Sequence, residues 1–166
     1  MNAGLLLLHA FLGAALAAHA FQKLFVFGLE GTAGYVESLG FRAPRLLALA
    51  VIGTELGGGL LLALGLLVPL GAAVVASTMI VAAATDHRGK GWFITGRGAE
   101  YVATNAVVAL ALAAVGGGRY SLDSALGFDL AGLGWAAAAA SVAILGAAAV
   151  LLTGIRRSVP VSAGVR

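Results

Sequence analysis

Chemistry in this chain would have to come from a few ionisable side chains set in apolar surroundings: His19, Lys23, Glu55, His87 and Glu100. Histidine and lysine can donate hydrogen bonds and protons, and a carboxylate can relay them, so the set suits a proton-coupled reaction on a small molecule. His19 and Lys23 are four residues apart, about 40° apart around a helix, so they share one face. Glu55 lies deep in an apolar run, about 14 Å from its charged end at about 1.5 Å per residue. An ionisable group in mid-membrane costs at least about 2.5–3.5 kcal/mol on insertion scales, so a carboxylate at that depth needs a cation, a proton or a ligand. Plainer readings stay open beside this one: Lys23 snorkelling to the headgroups, and Glu100 as an ordinary acidic residue in the first turn of a helix. His9 lies near the other end of its run and reads as an interfacial or core histidine.

The elements that must position these residues are membrane spans. Of 166 residues, 61% are apolar and only 10% charged, with a mean hydropathy of +1.03. Soluble domains carry about 25% charged residues, so a soluble globular fold is excluded and the solvent is a bilayer. Apolar stretches fall at residues 3–27, 46–68, 69–85, 99–115 and 130–155, and nothing in their pattern suggests strands. The expected fold is all-α, an integral membrane helical bundle. The first stretch begins like a signal peptide but lacks a basic start and is read as retained. Pro69 separates the second and third, which predicts a tight helical hairpin.

If all five stretches cross, the connections after the first and third and the C-terminal tail share one side. Lys23, Arg42, Arg45, Arg88, Lys90, Arg97, Arg156, Arg157 and Arg166 then fall on that side and Arg119 alone on the other. The positive-inside tendency makes the basic side cytoplasmic, with the N-terminus outside and the C-terminus inside. The same threading brings His19, Lys23, Glu55, His87 and Glu100 into the cytoplasmic half of one bundle. No cysteine is present, which excludes disulfides, thiolate metal sites and iron–sulfur clusters. The net charge of +3 is mild and is read as topology and lipid contact; no nucleic-acid partner is expected.

Two connections look structured. In residues 31–39, Tyr35 and Leu39 are spaced for a short interfacial helix with Glu37 toward water; in residues 89–98, Trp92 and Phe93 sit between Lys90 and Arg97. Both read as headgroup anchors, with a substrate-gating lid as the alternative. Gly53 and Gly57 form a GxxxG spacing around Glu55, followed by Gly58 and Gly59, read first as close helix packing and second as room for a flat ligand. The run from Gly116 to Asp123 reads as a helix stop in which Ser121 and Asp123 satisfy local backbone donors.

HAFQKL at His19, ESLGF at Glu37, TELGGGLLLALGL at Thr54, DHRGKGWF around His87, GAEY at Gly98 and GGGRYSLD at Gly116 occur in this order. Together they resemble the DoxX family of small bacterial membrane proteins, over about Leu5 to Asp123. The resemblance implies a four-helix core over residues 1–125, with residues 126–157 an added span and 158–166 a cytoplasmic tail. It also implies the bacterial inner membrane. The family is similar to the membrane subunit of thiosulfate:quinone oxidoreductase, and mycobacterial relatives are linked to a membrane oxidoreductase complex with superoxide dismutase and a sulfurtransferase. His19, Lys23, Glu55, Gly58, His87, Glu100, Arg119 and Asp123 match its pattern.

Three functions are weighed. The first is an oxidoreductase component that binds a quinone at His19, Lys23, Glu55, Gly58, His87 and Glu100, with Glu55, Lys23 and His19 as the catalytic groups. A soluble partner on the cytoplasmic side would then supply electrons. The second is a non-enzymatic scaffold that recruits soluble redox proteins through its basic loops. The third is a small-molecule or metal transporter, for which no inverted repeat is visible. Haem between His19 and His87, a metal on the His and Glu residues, and self-association stay open.

Overall fold

In lipid a backbone must satisfy its own polar groups, in helices or a closed barrel, and the apolar runs here coil into helices. The computed structural model describes residues 2–155. The helices are α1 (Asn2–Phe21), extended by one π-helical turn (Gln22–Val26), α2 (Gly28–Ser38), α3 (Pro44–Leu64), α4 (Val68–Ala84), α5 (Glu100–Val115), α6 (Leu122–Leu126) and α7 (Leu133–Gly154). Among the described residues the only β pairing is an isolated bridge between Phe41 and Ile155. α1 with its π turn, α3 and α7 are long and apolar enough to cross a membrane, while α4 and α5 are shorter apolar helices.

The expected hairpin is present, with its reversal shifted. Pro69 lies within the first turn of α4, where its missing N–H costs nothing. The chain turns instead at Gly65 (φ +58°) and Leu67 (φ +45°). Gly65 is required there twice over, by its left-handed backbone and because a Cβ would run into Ser121.

α4 sits in the middle, packed on α3, α5 and α7, while α1 lies along α3 and barely meets α5. Leu12, Leu16, Leu62, Val75, Ala109 and Leu112 fill the core between them. α7 packs on the bundle through Ala139, Ala143 and Ala147, spaced four apart so that one small-residue face is buried. The glycine reading needs correction. Gly53 and Gly57 meet nothing that a Cβ would touch, whereas Gly59 lies against Leu16 and the Gly13 carbonyl of α1, and Gly58 against Val74 and Val75 of α4. Close backbone approach in α3 therefore runs through Gly58 and Gly59.

The two ends of the bundle are tied by different contacts. At the basic end the Arg42 N–H donates to the Gly154 carbonyl (2.8 Å). Arg97 Nη2 donates there to Tyr35 Oη (3.3 Å). At the opposite end the Arg119 N–H donates to Asn2 Oδ1 (3.3 Å), and the Asp123 carboxylate accepts the Leu67 and Val68 N–H groups at 2.7 and 3.1 Å. Ser121 caps α6 locally by accepting from the Ser124 N–H, but Asp123 serves a distant turn. Arg156, Arg157, Arg166 and the expected tail 158–166 lie outside the described residues. His9 is a core histidine: it is buried, and its Nδ1–H donates to the Leu62 carbonyl at 2.6 Å.

Candidate functional site

Lys23 sits in the π turn that ends α1, a geometry that displaces one residue from the regular helical register and recurs at functional positions. Thr32 of α2 donates its hydroxyl to the Lys23 carbonyl (2.8 Å). The ammonium is thereby aimed at α3, where Lys23 Nζ donates to both Glu55 oxygens, at 2.8 and 2.7 Å. Glu55 is 7% exposed and Lys23 24% at the side chain, so the carboxylate in mid-membrane has the cation it requires.

The pair does not sit in a sealed core. It lines a cavity of about 590 Å³ bounded by α1, α2, α3, α4, α5 and α7. Most of the wall is apolar; the polar lining is His19, Lys23, Thr32, Tyr35, Thr54, Glu55, Ser77, Thr78, Thr85, Asp86, His87 and Tyr101. Thr78 donates to Thr54 (3.0 Å) and ties α4 to α3 beside Glu55. His19, one turn before Lys23, faces the Tyr101 ring of α5 with centroids 5.3 Å apart. α7 contributes Val142, Gly146 and Val150 to the apolar wall, and α3 contributes Leu47, Ala50 and Val51.

A second polar group closes the basic end. Asp86 accepts from Lys90 Nζ at 2.8 Å and from Arg97 Nη2 at 3.2 Å. His87 Nε2 lies 3.9 Å from its other oxygen, while His87 Nδ1–H donates to the Arg97 carbonyl at 2.6 Å. Tyr35 reaches down from α2 and hydrogen-bonds both Asp86 and Arg97. Partial burial pushes the Asp86 carboxyl up, but hydrogen bonds from Lys90 and Tyr35 and the charges of Lys90 and His87 outweigh it and hold Asp86 below its ordinary value of 3.8. Burial, and then the Asp86 hydrogen bond and charge, raise the Tyr35 hydroxyl above 10.0, with Arg97 opposing.

A carboxyl lowered in the folded state stabilises above its unfolded pKa, and that stability is lost as pH falls through the folded value. Asp86→Asn is therefore expected to lower the thermal midpoint at neutral pH, and the gap to wild type should close as pH drops below 3.8. Thermal unfolding of both proteins across pH 3–7 checks this; a gap independent of pH would remove Asp86 as the ionised centre of the group.

Of the residues expected to form the site, His19, Lys23, Glu55 and His87 all line the cavity. Gly58 does not: it is a packing contact with Val74 and Val75. Glu100 does not either, because its Oε2 accepts the Ile94 N–H (3.0 Å) and braces the connection ahead of α5. No group of three or more His, Asp or Glu side chains converges as a metal site among the described residues. Tyr35, Asp86 and Tyr101 join the lining without having been singled out for it. The i,i+4 spacing of Asp86 and Lys90 was the available signal for one; an aromatic at a span end gives none for the others.

A helical bundle with long apolar spans and an ion pair buried in its interior is an integral membrane protein in contact with lipid. Residues 4–88, from α1 through α4, match the DoxX family model, and the chain belongs to that family. The GAEY and GGGRYSLD stretches lie beyond the matched residues. None of the curated proteins and none of the solved structures matches the chain.

Proposed function

We propose that this protein is the membrane component of an oxidoreductase system and binds a quinone, or a similar flat redox molecule, in the cavity beside Lys23 and Glu55. The observation that carries the reading is that the costliest charged pair in the chain lines an apolar cavity of about 590 Å³ instead of being packed shut. Apolar walls with a few placed polar groups are what small-molecule sites consist of. A quinone taking two electrons needs two protons at its oxygens. His19 and Lys23 are the donors at hand, and Glu55, hydrogen-bonded to Lys23, is the group to pass protons on. Electrons come from a soluble partner, and the basic end that would receive it faces the cytoplasm of a bacterial inner membrane. Membership of the DoxX family supports it by analogy.

The scaffold reading draws on a different observation: Trp92, Phe93 and Ile94 are exposed beside the basic rim. Charge reversal at Lys90 or Arg97 is a poor test of it, because both side chains are engaged with Asp86. Mass spectrometry of small molecules extracted from gently purified protein separates the two readings. Wild type is expected to retain a quinone, and monodisperse Glu55→Gln or Lys23→Ala protein to retain at least about tenfold less. An empty wild-type bundle whose variants differ only in stability would give first place to the scaffold.

A further inference from the structure

The Lys23–Glu55 pair neutralises itself. Lys23 Nζ donates to both carboxylate oxygens, so most of its hydrogen bonding is spent on its partner and one N–H of the three is left over. Among the described residues, the fully buried donor in the cavity wall that has no partner is on α5. Tyr101 lines the cavity, and its hydroxyl is buried with no hydrogen-bond partner. The other such orphan among the described residues, Asn105 Nδ2, is not on the cavity wall. A buried hydroxyl without a partner costs about 1–3 kcal/mol, a cost that persists in a fold when something else takes the bond. The His19 ring, 5.3 Å away and tilted by 51°, packs on the Tyr101 ring and limits its rotation.

Resting on the quinone reading above, we infer that Tyr101 Oη–H is the donor that holds the ligand, bonding an uncharged carbonyl oxygen, while Lys23 and Glu55 are positioning and proton-transfer groups behind it. The chemistry selects the class. A phenol donor next to an internally neutralised ion pair suits a neutral acceptor such as a quinone carbonyl, and offers an anionic ligand no spare cation. His19, whose ring packs on the Tyr101 ring, is the neighbouring group from which that oxygen would take a proton on reduction. The ligand oxygen therefore sits between α1 and α5, where those helices barely meet.

The test uses Tyr101→Phe in the full chain, with short-chain ubiquinone and menaquinone as probes and thermal unfolding without quinone as the second readout. Phenylalanine keeps the ring against His19 and removes only the hydroxyl. The expected result is about a five- to tenfold weaker quinone affinity with an unchanged or higher thermal midpoint in the absence of quinone. A merely structural tyrosine would instead lower the midpoint and leave the affinity of the surviving fold unchanged, overturning the inference. Tyr101→Phe binding as tightly as wild type also overturns it, while leaving the quinone reading in place. A wild type that binds neither probe ends both.

Discussion

Lys23→Met is expected to destabilise the protein by about 3–5 kcal/mol, the cost of leaving one partner of a buried ion pair alone. Glu55 is 7% exposed at its side chain, and among the described residues its oxygens have no hydrogen-bond donor other than Lys23. The double variant Lys23→Met/Glu55→Leu should recover most of the loss, and can exceed wild type, because a well-packed apolar pair avoids both desolvation penalties. The unfolded chain in a micelle also finds partners for its polar groups, which favours the lower half of that range. Reversible unfolding of the two single variants and the double variant, compared as a cycle, gives the coupling directly. Singles and double equally unstable would mean that each group has support beyond its partner. The double variant also has a functional use: a stable bundle that no longer retains quinone would show that the pair is kept for the ligand, since the fold holds without it.

How much of this was legible follows from which forces act along the sequence and which act across it. The spans were readable because lipid imposes length and apolarity on each helix separately; even the thin break at Pro69 was visible, though the turn itself falls at Gly65 and Leu67. Lys23 and Glu55 were readable as members of one cluster, because a carboxylate at that depth needs a cation, a proton or a ligand and threading put both in one half of the bundle; that they pair directly is what the structure adds. Glu100 was grouped with them wrongly, because depth along a span says nothing about azimuth. Its carboxylate turns outward to the Ile94 N–H. The glycine error has the same origin. Gly58 and Gly59 follow Glu55 by three and four residues and so share its inward face, whereas the GxxxG pair lies on the opposite side; taking the phase of α3 from Glu55 would have chosen correctly. The π turn at Lys23 had no signal, since neither proline nor glycine occurs in Gln22–Val26. It is held from α2, by the Thr32 hydroxyl on the Lys23 carbonyl, a contact that only the tertiary fold creates.

At the far end of the bundle, Asp123→Ala is expected to cost about 2–4 kcal/mol, from the loss of two hydrogen bonds to a charged acceptor and the exposure of their donors. The carboxylate is buried and accepts the N–H groups of Leu67 and Val68, the first donors of α4, where the helix dipole also favours a negative charge. Leu67 holds a left-handed backbone (φ +45°), unfavourable for a branched residue, so the turn depends on what bonds it. Asp123 binds from both sides, because its own N–H donates to the Gly65 carbonyl (2.9 Å). Asp123→Asn keeps one acceptor oxygen and the backbone bond and should lose roughly half as much. Leu67→Gly in the Asp123→Ala background should regain part of the loss by relieving the backbone. Because this turn lies at the opposite end from Lys23 and Glu55, the Asp123 variants should lower stability while leaving quinone retention per folded molecule unchanged, and the two losses should add. Equal loss of ligand from both ends would mean that the α3–α4 hairpin moves as one lever, with Glu55 carried on it.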